Sequence, residues 1–259
     1  MSTISTKTAS SLRRFNLVMS ALHAIQGTLM VAIGNMDFRL PVTTSFLKFD
    51  PIARRLVSNV ETQFELPLAA MIASFMFLSA AAHLMVSLPG IYEWYIRNLG
   101  KGINYARWIE YSFSSSVMIV AIAMLFGMYD AALLLVLFTL NAMMILFGWM
   151  MEVHNQTTKR TDWTAYIFGC IAGIVPWLAI GIYFYGSVST GERVPSFVYA
   201  IYASLFLFFN VFAVNMVLQY QKVGRWRDYV YGERAYIVLS LVAKSLLAWQ
   251  VFSGTLRPM

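Results

Sequence analysis

Seven stretches of about twenty predominantly apolar residues recur along this chain. Each has the length a helix needs to cross a hydrocarbon core roughly 30 Å thick. They fall at about 15–34, 66–88, 106–127, 131–151, 163–185, 196–219 and 235–256. The expectation is an all-α membrane protein, one seven-helix transmembrane bundle occupying residues 1–259. Composition agrees: 59% of the residues are hydrophobic and 12% charged, against roughly 25% charged in a soluble domain. Mean hydropathy is +0.64. The basic tail ending Leu12-Arg13-Arg14-Phe15 runs straight into the first span without a small-residue cleavage site. That reads as a retained helix rather than a signal peptide.

The connections orient the bundle. Gly127 to Asp130 is so short that the third and fourth spans must form a tight antiparallel pair. The linker from Asn35 to Glu65 is long, with alternating runs such as Thr44-Ser45-Phe46-Leu47-Lys48-Phe49. It reads either as a short β-hairpin capping one membrane face or as a disordered loop. On one side lie Lys7, Arg13, Arg14, Arg97, Lys101, Lys159, Arg160, Lys222, Arg225, Arg227 and Arg234, eleven cations. On the other lie six: Arg39, Lys48, Arg54, Arg55, Arg193 and Arg257. The positive-inside rule then puts the N-terminus in the cytoplasm, the C-terminus outside and the hairpin candidate in the first extracellular loop. The net charge of +7 is assigned to basic loops facing anionic membrane lipid, not to nucleic acid. The single cysteine, Cys170, allows no internal disulfide.

Only Arg107 and Lys244 among the basic residues, and Glu110 among the acidic ones, fall well inside spans, with Glu152 at the end of the fourth. Lys244 sits in the middle of the last apolar run, where an ammonium costs on the order of 2.5–3.5 kcal/mol even on lenient insertion scales. Glu110 is its natural counter-charge. Arg107, Glu110, Ser114 and Met118 follow one another at helical spacing along one face of the third span. A buried Lys–Glu bridge that only fixes packing is the plain alternative. Yet a desolvated lysine is also the residue that condenses with aldehydes, and a protonated Schiff base in a dry site needs a carboxylate counterion.

Several runs resemble the heliorhodopsins. YVYGERAYIVLSLVAKSLLAWQVFSGTL (229–256) is similar to their last helix and RWIEYSFSSSVMIV (107–120) to their third. NAMMILFGW (141–149), FGCIAGIVPW (168–177) and SLFLFFN (204–210) are similar to their fourth, fifth and sixth. The early part is looser, with FN at 15–16, His23, Ser79 and His83 in common. The resemblance implies all-trans retinal on Lys244 with Glu110 as the single counterion. It also implies an N-terminus inside, a homodimer, strands in the first loop, a slow photocycle and no ion transport. His23, His83 and Ser79, with Arg107, would line a polar cavity on the cytoplasmic side that receives or holds the released proton.

The residues themselves argue against pumping. By resemblance to the light-driven proton pumps among other microbial rhodopsins, a relay would place an acid about eleven residues after Glu110 and another one turn before Lys244. Ala121 and Ser240 stand there. Ser240 and Ser114 lie one turn from Lys244 and Glu110, so either hydroxyl can serve the charged pair or a carbonyl of its own helix. Met118, Asn141, Ile145, Gly148, Trp177, Phe209 and Trp249 are candidate walls for a polyene slot. Ordinary helix packing is the alternative for each. Gly169 and Gly173 suit close helix approach or leave room for a chromophore ring. Two histidines without a third ligand do not make a metal site. Three classes remain: a retinal photosensor read by an unidentified signalling partner, a light-gated or light-driven ion transporter, and a membrane enzyme using Lys244 as a nucleophile. No acid–base or cofactor motif supports the enzyme.

Overall fold

A lipid-exposed backbone must satisfy its own hydrogen bonds, so spans fold as helices wherever the chain is apolar for long enough. The computed structural model describes residues 4–190 and 194–256, leaving Arg193 and Arg257 of the charge comparison outside. Its elements are α1 (Thr6–Ile33), β1 (Arg39–Asp50), β2 (Arg55–Pro67), α2 (Leu68–Met85), α3 (Ile91–Leu99), α4 (Tyr105–Leu125), α5 (Ala131–His154), α6 (Thr164–Ser189), α7 (Ser196–Tyr220) and α8 (Tyr229–Val251). A π-helical turn at Phe252–Leu256 continues α8. Among the described residues, all the helices except α3 are long and apolar enough to cross a membrane, which makes seven spans. The protein is a multi-pass membrane protein. Neighbours in the bundle run α1 on α2, α2 on α4, α4 on α5, α5 on α6 and α7 on α8, and α8 closes against α1.

Four helices begin where a polar side chain can take up a free N–H. The side chain of Ser5 accepts from Thr8 N, Asn104 from Arg107 N, Asp130 from Leu133 N and Asp228 from Val230 N. These caps explain where the observed boundaries depart from those expected of the sequence. The first helix starts at Thr6 rather than near 15 because the basic tail is itself helical. Arg13 donates to the carbonyl of Ser87 at 2.9 Å and its guanidinium lies over the Tyr92 ring. The last helix starts at Tyr229, not 235, so Glu233 and Arg234 belong to it rather than to a loop.

The connection at 89–105, read as loop, contains α3. Its pattern is amphipathic: Tyr95 and Leu99, one turn apart, are buried with Leu12, Val86 and Val230. Nine residues were too few to register as a span.

The linker after α1 is a hairpin considerably longer than expected. Its strands pair antiparallel from Arg39↔Pro67 to Asp50↔Arg55, with an irregularity between Val42 and Thr43. Its root belongs to the core. Leu40 and Val42 share one face and are buried, and Thr43 N donates to the carbonyl of Tyr129 in the turn between α4 and α5. Beyond that irregularity the strands stand clear, and Ile52 at the tip is 95% exposed.

The core is divided by polarity. On the hairpin side, Ile72, Phe75, Met118, Ile119, Ile122, Leu247 and Val251 form one apolar cluster. On the opposite side, buried Asn16, Asn98, Asn104, Arg107, Glu152, Asn215, Gln219 and Glu233 converge. The buried root of the hairpin should therefore matter far more than its tip. Leu40→Ala is expected to cost about 2–5 kcal/mol and Ile52→Ala less than about 0.5 kcal/mol, as read by thermal unfolding in detergent.

Candidate functional site

Lys244 lies midway along α8 and faces α4 and α2. Its Nζ donates to Glu110 Oε1 at 2.9 Å and to Ser240 Oγ at 2.8 Å. Ser79 Oγ, on α2, donates to the same Glu110 oxygen at 2.6 Å. The i to i+4 spacing puts Ser240 beside Lys244, and both are almost fully buried. A lone ammonium here would be strongly unfavourable; the pair with its two hydroxyls is a closed, neutral unit. Ser114, one turn beyond Glu110, is buried, and its hydroxyl has no partner among the described residues.

An apolar cavity opens on this pair. A small chamber of about 50 Å³ touches Lys244 and Ser240 and is walled by Tyr111, Met118, Ile145 and Phe209. A larger one of about 360 Å³ lies beyond, between α5, α6 and α7, bordered by Gly148, Trp177 and Phe209. Tyr111, Met144, Ile145, Phe209 and Phe212 border both chambers. The larger volume is within the size of ordinary small-molecule pockets, roughly 300–1,000 Å³. Glycines shape its wall: a Cβ on Gly148 would meet the Trp108 ring at 2.5 Å, and one on Gly173 would collide with the Met144 side chain. Gly169 also borders it, so Gly169 and Gly173 serve close packing and the cavity together. Apolar walls, one amine at the inner end and a carboxylate facing it fit a long conjugated aldehyde.

A second charged centre lies about one helical turn toward the other face, and sequence reasoning missed it. Arg107 pairs with Glu152 of α5 at 2.6 Å and with Glu233 of α8. Its guanidinium lies over the Trp108 and Tyr236 rings at 4.1 and 3.9 Å. Glu152 also accepts from Trp108 Nε1 at 2.5 Å, Asn104 N at 3.1 Å and Tyr229 Oη at 3.0 Å, while Asn104 Nδ2 donates to Glu233 at 2.6 Å. Placing the last span too late had left Glu233 in a loop. The capping aspartate, Asp228, was the available signal.

The histidines form a third cluster. His23 and His83 stack with ring centroids 5.7 Å apart, and His83 Nδ1 meets Asn16 Oδ1 at 2.7 Å. Neither His23 nitrogen has a partner among the described residues. A small chamber of about 30 Å³ touches His83, Asn16, Tyr95, Arg107 and Glu110, but not His23. Burial holds the Tyr95 phenol above its usual range, so it stays neutral. Ser79 is bonded to Glu110 rather than to the histidines. Arg107 is held by its two carboxylates and also borders the chamber that His83 borders.

Among the wall candidates, Met118, Ile145, Gly148, Trp177 and Phe209 border the two chambers. Asn141 stands behind them, donating to Ser115 Oγ at 2.7 Å and Ser116 Oγ at 3.1 Å. Trp249 does not reach the cavity. It is 37% exposed and bonds to Gln26 of α1 at 3.0 Å, because position 249 faces outward from α8. Tyr111, Met144, Phe212 and Tyr236 border the cavity and were not foreseen. Helical spacing carried the signal for two of them: Met144 lies three residues after Asn141, and Phe212 three after Phe209.

The fold matches the transmembrane domain of a rhodopsin phosphodiesterase from Salpingoeca rosetta, with a TM-score of 0.63 at 13% identity over 94% of this chain and 84% of that one. It also matches Exiguobacterium sibiricum rhodopsin, with a TM-score of 0.58 at 15% identity over 96% of each chain. Seven helices with this likeness define a microbial-rhodopsin fold. The heliorhodopsin family model matches residues 12–256, and the chain belongs to that family. Family and fold together support a retinal-type light-sensing protein. No curated protein matches the chain.

Removing Arg107 would leave two buried carboxylates facing each other. Arg107→Ala is expected to destabilise the fold by about 3–5 kcal/mol, seen as a lowered unfolding temperature. Adding Glu152→Gln and Glu233→Gln should recover part of the loss.

Proposed function

We propose that the protein is a light sensor carrying all-trans retinal as a protonated Schiff base on Lys244, with Glu110 as counterion and without ion pumping. The observation that carries this reading is the buried Lys244–Glu110 pair at the inner end of the apolar cavity. When bound there, retinal would supply visible absorption and a light-driven change of shape. The chain's own residues supply the rest. Glu110 balances the positive charge on the Lys244 nitrogen, and Ser79 and Ser240 fix the direction of that pair. Tyr111, Phe209, Phe212 and Trp177 keep water from the slot. Glu110, the carboxylate beside Lys244, is engaged by the Lys244 ammonium and the Ser79 hydroxyl, which supports a non-enzymatic reading.

Absence of transport is supported by the division of the core. Ala121 is buried among Ile119, Ile122 and Leu247 on the hairpin half, where an acid would be needed to return a proton from that side. The buried polar groups Ser116 and Asn141 bond to each other, and Ser116 also to a carbonyl of its own helix, which leaves neither free to carry a proton. A proton leaving Lys244 meets polar groups on one side and hydrocarbon on the other. Return from the same side gives a closed, slow cycle.

The basic face is taken as cytoplasmic, since eleven cations lie on that side against four described ones on the hairpin side. The C-terminus is then extracellular and the hairpin projects outward. Its exposed Phe46, Leu47, Phe49 and Leu56 support a homodimer within membrane lipid, with a separate signalling partner reading the light-adapted state.

The protein expressed with all-trans retinal should show a visible absorption band. Lys244→Ala abolishes it and Glu110→Gln shifts or bleaches it; a colourless wild type overturns the assignment. Illuminated vesicles should give no sustained pH change, and a steady photocurrent sensitive to uncoupler would restore the light-driven transporter.

A further inference from the structure

The face carrying the α3–α4, α5–α6 and α7–α8 connections holds a groove of about 400 Å³ separate from the chambers at Lys244. Five cations border it: Lys101 after α3, Lys159 and Arg160 between α5 and α6, and Lys222 and Arg227 between α7 and α8. No aspartate or glutamate borders it. Among the described residues none of the five makes an ion pair.

The acidic groups of this face are already engaged. Asp162 accepts from Thr164 N and meets His154, and hydrogen bonds from Thr164 hold its carboxyl below the usual range. Asp228 caps α8, Glu93 accepts from Gly90 N, and Glu152 and Glu233 face Arg107.

The cations are presented by turns that the fold holds in place. Asn155 ties the α5–α6 connection together, donating to the carbonyls of Met151 and Asp162 and accepting from Asp162 N and Thr158 Oγ1. Trp226 anchors the α7–α8 connection, donating to Asn215 Oδ1 at 2.7 Å while its ring meets Tyr231 edge-on. Lys222 and Gly224, both at φ 53°, turn the chain so that Lys222 and Arg227 border the same groove. Like charges gathered from three separate connections repel one another. A multiply charged anion relieves that repulsion, and a concave site lets several donors reach it at once. Arginine forks and lysine ammonium groups together suit phosphate oxygens.

We propose that this groove binds a phosphate-bearing anion, supplied either by the headgroup of an anionic phospholipid or by a soluble phosphate compound. The site stands apart from the chromophore reading and is tested without it. The full chain in phosphatidylcholine nanodiscs would be titrated calorimetrically with sodium tripolyphosphate at ionic strengths up to about 0.15 M. In parallel, nanodiscs containing phosphatidylglycerol would be analysed by native mass spectrometry for retained lipid.

The wild type is expected to bind saturably at one site. Each cation removed should weaken binding about fivefold, so Lys159→Ala with Arg227→Ala loses about 25-fold. Arg160→Gln with Lys222→Gln is a second pair expected to behave alike. Lys7→Ala with Arg14→Ala, which removes the same charge from α1 on the same face, should leave binding unchanged. Circular dichroism and elution profile confirm that each variant folds. Tripolyphosphate binding identifies a soluble source. Retention of phosphatidylglycerol alone identifies the lipid. Binding of neither overturns the proposal, as does an equal loss in the α1 pair, which would reduce the groove to diffuse surface charge.

Discussion

An ammonium held in hydrocarbon has to be answered from within the protein, and the Lys244–Glu110 pair is the answer around which three helices are arranged. Glu110 comes from α4, Lys244 and Ser240 from α8, and Ser79 from α2. None of these elements can shift by much without exposing a charge to apolar surroundings. The pair therefore fixes the relative heights of α2, α4 and α8. The apolar cavity begins where that polar cluster ends, which gives the slot one charged end and walls that cannot compete for it.

Arg107 does comparable work nearer the basic face, tying α4 to α5 and α8 through Glu152 and Glu233. The two centres share α4 and α8 but differ in kind. At Lys244 one cation meets one carboxylate. At Arg107 one cation meets two, and the excess is spread over hydrogen bonds from Asn104, Trp108 and Tyr229. Trp108 borders the large chamber while Tyr229 borders the cationic groove on the surface. The Arg107 centre thus joins, through hydrogen bonds, a wall of the cavity to a wall of the groove on that face.

The parts of this architecture that follow from length and polarity were legible in the sequence. Seven apolar runs specify seven spans, and a lone intramembrane lysine and glutamate pick out each other. What could not be read were features in which polar residues behave as if apolar. Glu233 and Glu152 look like the ends of spans, and only the packing of α4, α5 and α8 buries them together. The Asp228 cap moves the start of α8, and that shift carries Glu233 inward. Trp249 has the right residue type for a chromophore wall but the wrong angular position on its helix. Angular position depends on which neighbours α8 packs against. The amphipathic α3 was short enough to pass for a loop, although Tyr95 and Leu99 already held its spacing.

The hairpin has a mechanical consequence. Its root is bonded to the turn joining α4 and α5, through Thr43 and Tyr129, and α4 carries Glu110. From Thr43 to Asp50 the strand extends roughly 25 Å, at about 3.3 Å per residue. A paired ribbon of that length acts as a pointer pivoted on the bundle. A tilt of about 4° at the pivot carries the tip by nearly 2 Å over such a radius. Displacements too small to open a path through the core would be legible at the far end of the needle.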